Sequence, residues 1–207
     1  EPRKIWRFDL PTNGIGGVAV SMDTVVVSSR NANDTSDAFY LLDAESGIEL
    51  SKLTYPSKLA LDYGNSPRAT PLILEDRVIT LGAAGQLNCL SLESGEVLWT
   101  KHLVSDLGGR MPQWGYASSP IVIDNKLIVQ PGGLDSSFVA LELSTGQVVW
   151  KTIGRQAAYA SPLGFQWNGK KQWINYDVNS FGAWDITQGK RLWEMKPAED
   201  GDFNVPS

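Results

Sequence analysis

The sequence predicts an all-β protein, a β-propeller built from four-stranded antiparallel blades, and three observations predict it. A turn glycine recurs at Gly47, Gly95, Gly146 and Gly189, at intervals of about 40–50 residues, which is the length of one blade. At a fixed offset after three of those glycines stands a tryptophan: Trp99, Trp150 and Trp193. Between them, short runs rich in β-branched residues alternate with polar turns, and no stretch carries helical periodicity.

Taken in order, residues 1–10 read as part of a flanking blade, an outermost strand around Trp6, which lies one repeat ahead of Ser51. The first repeat, 15–54, reads as strands near 15–20, 24–29, 38–44 and 48–54. In the second, 69–103, strands at 69–74, 77–82, 86–92 and 97–103 are separated by Glu75-Asp76, by Ala83 to Gly85 and by Glu93-Ser94-Gly95. The third, 117–153, gives 117–123, 126–130, 137–143 and 147–153, with turns at Asp124-Asn125 and Ser144 to Gly146. The fourth, 160–196, gives 160–166, 171–177, 180–186 and 190–196. Residues 203–207 resemble the start of another innermost strand. The two end pieces lack the middle strands of a blade and cannot form one together. The 1–207 chain is therefore expected to be a single propeller segment, four complete blades of a larger ring of about eight, the alternative being a closed four-bladed ring.

Each turn has a local rationale. Glycine supplies a positive φ without steric cost, and the Ser or Thr before it, with Asp or Glu a little earlier, can hydrogen-bond the turn amides. A tryptophan on the outermost strand can cover the backbone of the adjacent blade while its indole N–H reaches a polar partner. Trp6, Trp99, Trp150, Trp193 and the glycines Gly47, Gly95, Gly146 and Gly189 are accordingly expected to be structural docking residues.

Composition limits what else the chain can be. It has 207 residues, 42% hydrophobic and 20% charged, enough to bury a substantial core. No apolar run approaches the ~20 residues that span a bilayer, so membrane association is expected only through a segment outside this chain. The net charge is -5 and the 18 Lys and Arg are scattered, which argues against a nucleic-acid partner. Cys89, the single cysteine, excludes an intrachain disulfide and falls where two other repeats carry Ala; a small buried core residue is expected. With His102 alone, a histidine-based metal site is excluded, and exposure on an outer strand is expected for it. Asn31, Asn33, Asp34 and Asp37 make an oxygen-rich loop without the spacing of an EF-hand, read as a solvated loop. Gly14-Ile15-Gly16-Gly17 precedes a strand, which fails the context of a phosphate cradle.

The pattern A-x-D-x-x-T-G-x-x-x-W, closest in Ala140 to Trp150 and Ala183 to Trp193, resembles the tryptophan-docking motif of the pyrroloquinoline quinone (PQQ)-like propeller repeats. The inner-strand openings Arg68-Ala69-Thr70-Pro71, Tyr116-Ala117-Ser118-Ser119-Pro120 and Tyr159-Ala160-Ser161-Pro162 look like the same family. That family includes PQQ-dependent alcohol dehydrogenases and cofactor-free proteins such as the propeller lipoprotein of the outer-membrane β-barrel assembly machinery. The resemblance implies a periplasmic, envelope or secreted location. It does not select an activity.

Long connections at 30–37, 55–68, 104–116, 131–136 and 154–159 fall on one face, where binding is expected. Arg68, Tyr116 and Tyr159 occupy equivalent positions and should converge on the channel mouth, with Arg110, Gln113, Trp114 and Arg155 nearby. A carboxylated quinone needs an aromatic surface, guanidinium forks and commonly a divalent ion. Trp114 and the arginines match the first two, and Asp62, Asn65, Asp106 or Asp135 the third. The dehydrogenases' adjacent-cysteine disulfide and their catalytic Asp with calcium ligands have no match here. No catalytic or metal residue is assigned. Two readings remain: a non-catalytic scaffold whose loop-rich face binds a protein partner or small ligand, and a PQQ- and Ca²⁺-dependent dehydrogenase of alcohols or sugars.

Overall fold

The computed structural model describes residues 3–196. Sixteen strands form four antiparallel sheets, each a meander of sequence-adjacent strands. The first sheet holds β1 (Ala19–Val20), β2 (Thr24–Arg30), β3 (Ser36–Asp43) and β4 (Glu49–Pro56). The second holds β5 (Leu72–Ile73), β6 (Arg77–Leu81), β7 (Gln86–Ser91) and β8 (Val97–His102). The third holds β9 (Ile121–Ile123), β10 (Lys126–Val129), β11 (Val139–Glu142) and β12 (Val148–Lys151). The fourth holds β13 (Leu163–Trp167), β14 (Lys170–Asp177), β15 (Ser180–Asp185) and β16 (Arg191–Met195). These are the blades of a β-propeller, with no helix among the described residues. The expected strand at 203–207 lies outside the described residues. Around Trp6 the chain pairs in no ladder among the described residues.

Each sheet carries a β-bulge at the same place, between Leu41/Leu42, Cys89/Leu90, Ala140/Leu141 and Ala183/Trp184. The bulge re-aims the facing residue of the outer strand, which is Ser51, Trp99, Trp150 or Trp193. Trp99 Nε1 then donates to Leu143 O of the next sheet at 2.9 Å, and Trp150 Nε1 to Ile186 O at 3.1 Å. Trp6 Nε1 donates to Ala44 O at 3.0 Å. The ring of Trp99 lies so close to Gly146 (φ +68°) that a Cβ there would stand 2.8 Å from its Cδ2.

The innermost strands are shorter than the sequence predicts. Pro71, Pro120 and Pro162, which precede them, have no N–H for a ladder. Instead, neighbouring blades bond to each other there: Thr70 N donates to Ser119 Oγ and Ser119 N to Ser161 Oγ, both at 2.9 Å.

The three junctions between sheets differ in chemistry. Between the second and third, Ile79, Leu81, Leu87, Cys89, Leu127, Val139 and Leu141 form one buried apolar cluster. Between the third and fourth the filling is aromatic: Trp150 stacks on Trp173 at 5.4 Å and 12°, and Phe138 meets Trp184 at 4.7 Å. The first junction is smaller and more polar. Val26, Leu41 and Val78 form its apolar part, Ser51 replaces the indole against Gly95, and Asp37 and Tyr55 crowd Gly82.

Candidate functional site

The loops of one face are held by two arginines. Arg30, at the end of β2 with its side chain 2% exposed, donates to Asp34 Oδ1 at 2.5 Å, Asp37 Oδ1 at 2.6 Å, Asp34 O at 2.6 Å and Ser57 O at 2.6 Å. Asp34 also accepts Asn65 Nδ2 at 2.6 Å, a bond that holds its carboxyl below the usual range, with help from Arg30. For Asp37, burial outweighs Arg30 and pushes the carboxyl up. The loop is exposed at 32–35, as the sequence predicts, but Asp37, at the start of β3, is buried as the partner of Arg30. Asn31 Oδ1 accepts Thr35 N and Ser36 N within that loop.

Arg68 donates to Asp62 O and Gly64 O at 2.9 Å and to Ser66 O at 3.1 Å, stitching the 62–66 turn. Burial holds its guanidinium below the usual value. That turn presents Tyr63, 83% exposed and in the left-handed region at φ +67°. Tyr63 meets Trp114 edge-on, with centroids 6.0 Å apart at 78°, and Trp114 meets Tyr159 at 5.3 Å and 34°. Trp114 N also donates to Tyr159 Oη at 3.1 Å. One aromatic row therefore crosses the loops that join four consecutive blades.

Of the residues expected at the channel mouth, Arg68, Trp114 and Tyr159 do come together, with the exposed Gln113 beside Trp114 in the chain. Tyr116 does not join them. It is 2% exposed, its hydroxyl donates to Pro131 O at 2.9 Å, and its ring lies against Gly85 because the small turn leaves room there; burial pushes the phenol up. Arg155 is turned toward the fourth sheet, where it and Arg191 pair with Asp177 and Glu194. Buried Asp177 draws it there: burial pushes that carboxyl up, but Arg191 and the Asn179 amide outweigh it and hold it down. Arg110 and Asp135 line a separate cleft. Tyr63 and Arg30 escape sequence reasoning, since a loop tyrosine and a strand-end arginine have no repeat-wide counterpart to single them out.

Several of the residues expected to hold a quinone and Ca²⁺ are already engaged by neighbours. Trp114 already faces Tyr159. Asn65 uses both ends of its amide, on Asp34 and on Leu61 N. Asp106 caps its loop, accepting His102 N and Ser105 Oγ. Among the described residues no cluster of three or more His, Cys, Asp or Glu is placed to hold a metal.

Solved structures with the same fold include BamB from Moraxella catarrhalis, 21% identical, with a TM-score of 0.58 over 90% of this chain and 51% of that one. A europium-containing methanol dehydrogenase is 13% identical, with a TM-score of 0.62 over 87% and 41%. The quinohemoprotein alcohol dehydrogenase ADHIIG from Pseudomonas putida HK5 is 13% identical, with a TM-score of 0.62 over 95% and 36%. At these identities the likeness is one of fold, and the chain spans about half the length of that BamB or less of the dehydrogenases. A search of curated proteins gave no match. The family model described as outer membrane protein assembly factor BamB matches residues 2–205. With its four-stranded sheets and PQQ-like repeats, the chain belongs to the BamB family of propeller proteins.

Proposed function

We propose that this chain is a non-catalytic binding scaffold of the cell envelope whose loop-rich face holds a protein partner. The observation that carries the reading is the row Tyr63–Trp114–Tyr159, in which successive inter-blade loops each supply one ring. Aromatic side chains give large contact area at low entropic cost and dominate protein interfaces. Membership of a family described by outer-membrane assembly supports a partner from that process. In this reading Trp6, Trp99 and Trp150 lock successive blades, and Trp193 does the same toward a following one.

Capture of envelope proteins by a photo-crosslinker at Gln113 tests it. A captured partner that is lost in Trp114→Ala, with the fold retained, is the expected result. The dehydrogenase neighbours supply the contrary arm: saturable PQQ binding with Ca²⁺ and alcohol-dependent reduction of an artificial acceptor overturns the reading.

A further inference from the structure

A second site lies between the 104–110 loop, the 131–136 loop and the outer strand β12. It is a cleft of about 590 Å³, within the range of small-ligand pockets. Three glycines, Gly108, Gly132 and Gly133, form part of its wall. A Cβ on Gly133 would stand 2.0 Å from Gly108 O, and one on Gly132 2.4 Å from Ala157 N, so the loops close on each other with no space for side chains. Ser136 Oγ donates to Gly108 O at 2.9 Å and ties the two loops together.

Two cations and one carboxylate line this cleft: Arg110, Lys151 and Asp135. None of the three takes part in an ion pair among the described residues. The ammonium of Lys151 donates to a neutral acceptor, Leu107 O, at 3.0 Å. Most of the other arginines are engaged: Arg30, Arg77, Arg155 and Arg191 rest on carboxylates, and Arg68 is spent on carbonyls. In a chain of net charge -5, this cleft holds two cations against one carboxylate, a net positive charge. A guanidinium and an ammonium lining one cleft suit the oxygens of a carboxylate or phosphate. Gln156 adds an amide donor, and Leu134, 81% exposed, forms an apolar lip for the body of the ligand.

We propose that this cleft is an oxyanion site, in which Arg110 and Lys151 hold the carboxylate or phosphate of a small ligand and Leu134 covers its apolar part. Asp135 faces the same space and limits affinity by repulsion.

The test is a calorimetric titration of the full chain with three probes: inorganic phosphate, N-acetyl-leucine, and N-acetyl-leucinamide, which lacks the charge. Saturable binding of phosphate or N-acetyl-leucine, with none of the amide, is expected, and which of the two binds identifies the source of the oxyanion. Arg110→Gln and Lys151→Gln should each weaken it about tenfold, and Asp135→Asn should tighten it. Trp114→Ala should leave it unchanged, which separates this site from the aromatic row. Absence of saturable binding, equal binding of the amide, indifference to both cation variants, or loss of binding in Asp135→Asn overturns the proposal.

Discussion

At position 51 the repeat carries serine where other blades carry an indole, and the neighbouring strand compensates. Trp99, Trp150 and Trp193 each face a small residue across the bulge, Cys89, Ala140 or Ala183, whereas Ser51 faces Leu41. Volume is exchanged within the pair, which is how a close-packed interior tolerates substitution. Ser51→Trp alone should therefore destabilise by about 1–3 kcal/mol through overpacking against Leu41 and Gly95, and Leu41→Ala in the same chain should recover part of that loss. Trp150→Ala, which empties an occupied junction, should cost about 3 kcal/mol. Urea titration of Ser51→Trp, Leu41→Ala and their double variant checks the coupling, and that of Trp150→Ala the cost of the lost indole. The indoles and turn glycines were legible in the sequence because they recur at one period. Arg30 and Tyr63 were not, because each acts through groups brought close only by tertiary folding.

At the level of the element, the strand pairs were readable from alternation and turns, and the departures cluster on the innermost strands. Their openings carry Thr70-Pro71, Ser119-Pro120 and Ser161-Pro162, in which proline withholds an amide and the hydroxyl residue bonds the adjacent blade. Period-two patterning cannot report this, since an unpaired extended segment has the same alternation as a strand. Ser119 is the middle member: its hydroxyl accepts from one blade while its amide donates to the other. Ser119→Ala should cost about 1 kcal/mol, the worth of one such bond, while Ser119→Thr keeps the hydroxyl and should cost less. Thermal unfolding of the two variants side by side distinguishes them. The candidate site was readable to a similar degree. Loop length singled out the face on which Arg68, Trp114 and Tyr159 meet, but Tyr116 and Arg155 were drawn into packing by forces that act after the blades assemble.

For the whole molecule, acid sensitivity follows from the carboxylates. Hydrogen bonding from Asn65 holds Asp34 low, hydrogen bonding from Arg155 holds Glu194 low, and Arg191 does most to hold Asp177 low against its burial. A carboxyl lowered in the folded state contributes stability above its unfolded value, here 3.8 for the two Asp and 4.5 for Glu194, and loses it as pH falls through the folded value. Asp37 works in the opposite sense, since burial raises it and its protonation favours the folded state. The three lowered groups should prevail, giving a stability that declines below pH 4.5 in urea titrations run at stepped pH. Asp177→Asn should destabilise by about 3 kcal/mol, leaving Arg155 and Arg191 without their buried counter-ion, and should flatten that decline.

The first junction has Ser51 and a buried Arg30–Asp37 pair where the others have indoles and rings. The same guanidinium bonds Ser57 O, at the start of the loop that carries Tyr63. One side chain thus serves both the seam between the first two sheets and the footing of the first ring in the aromatic row, so a change at Arg30 would be felt in both places at once.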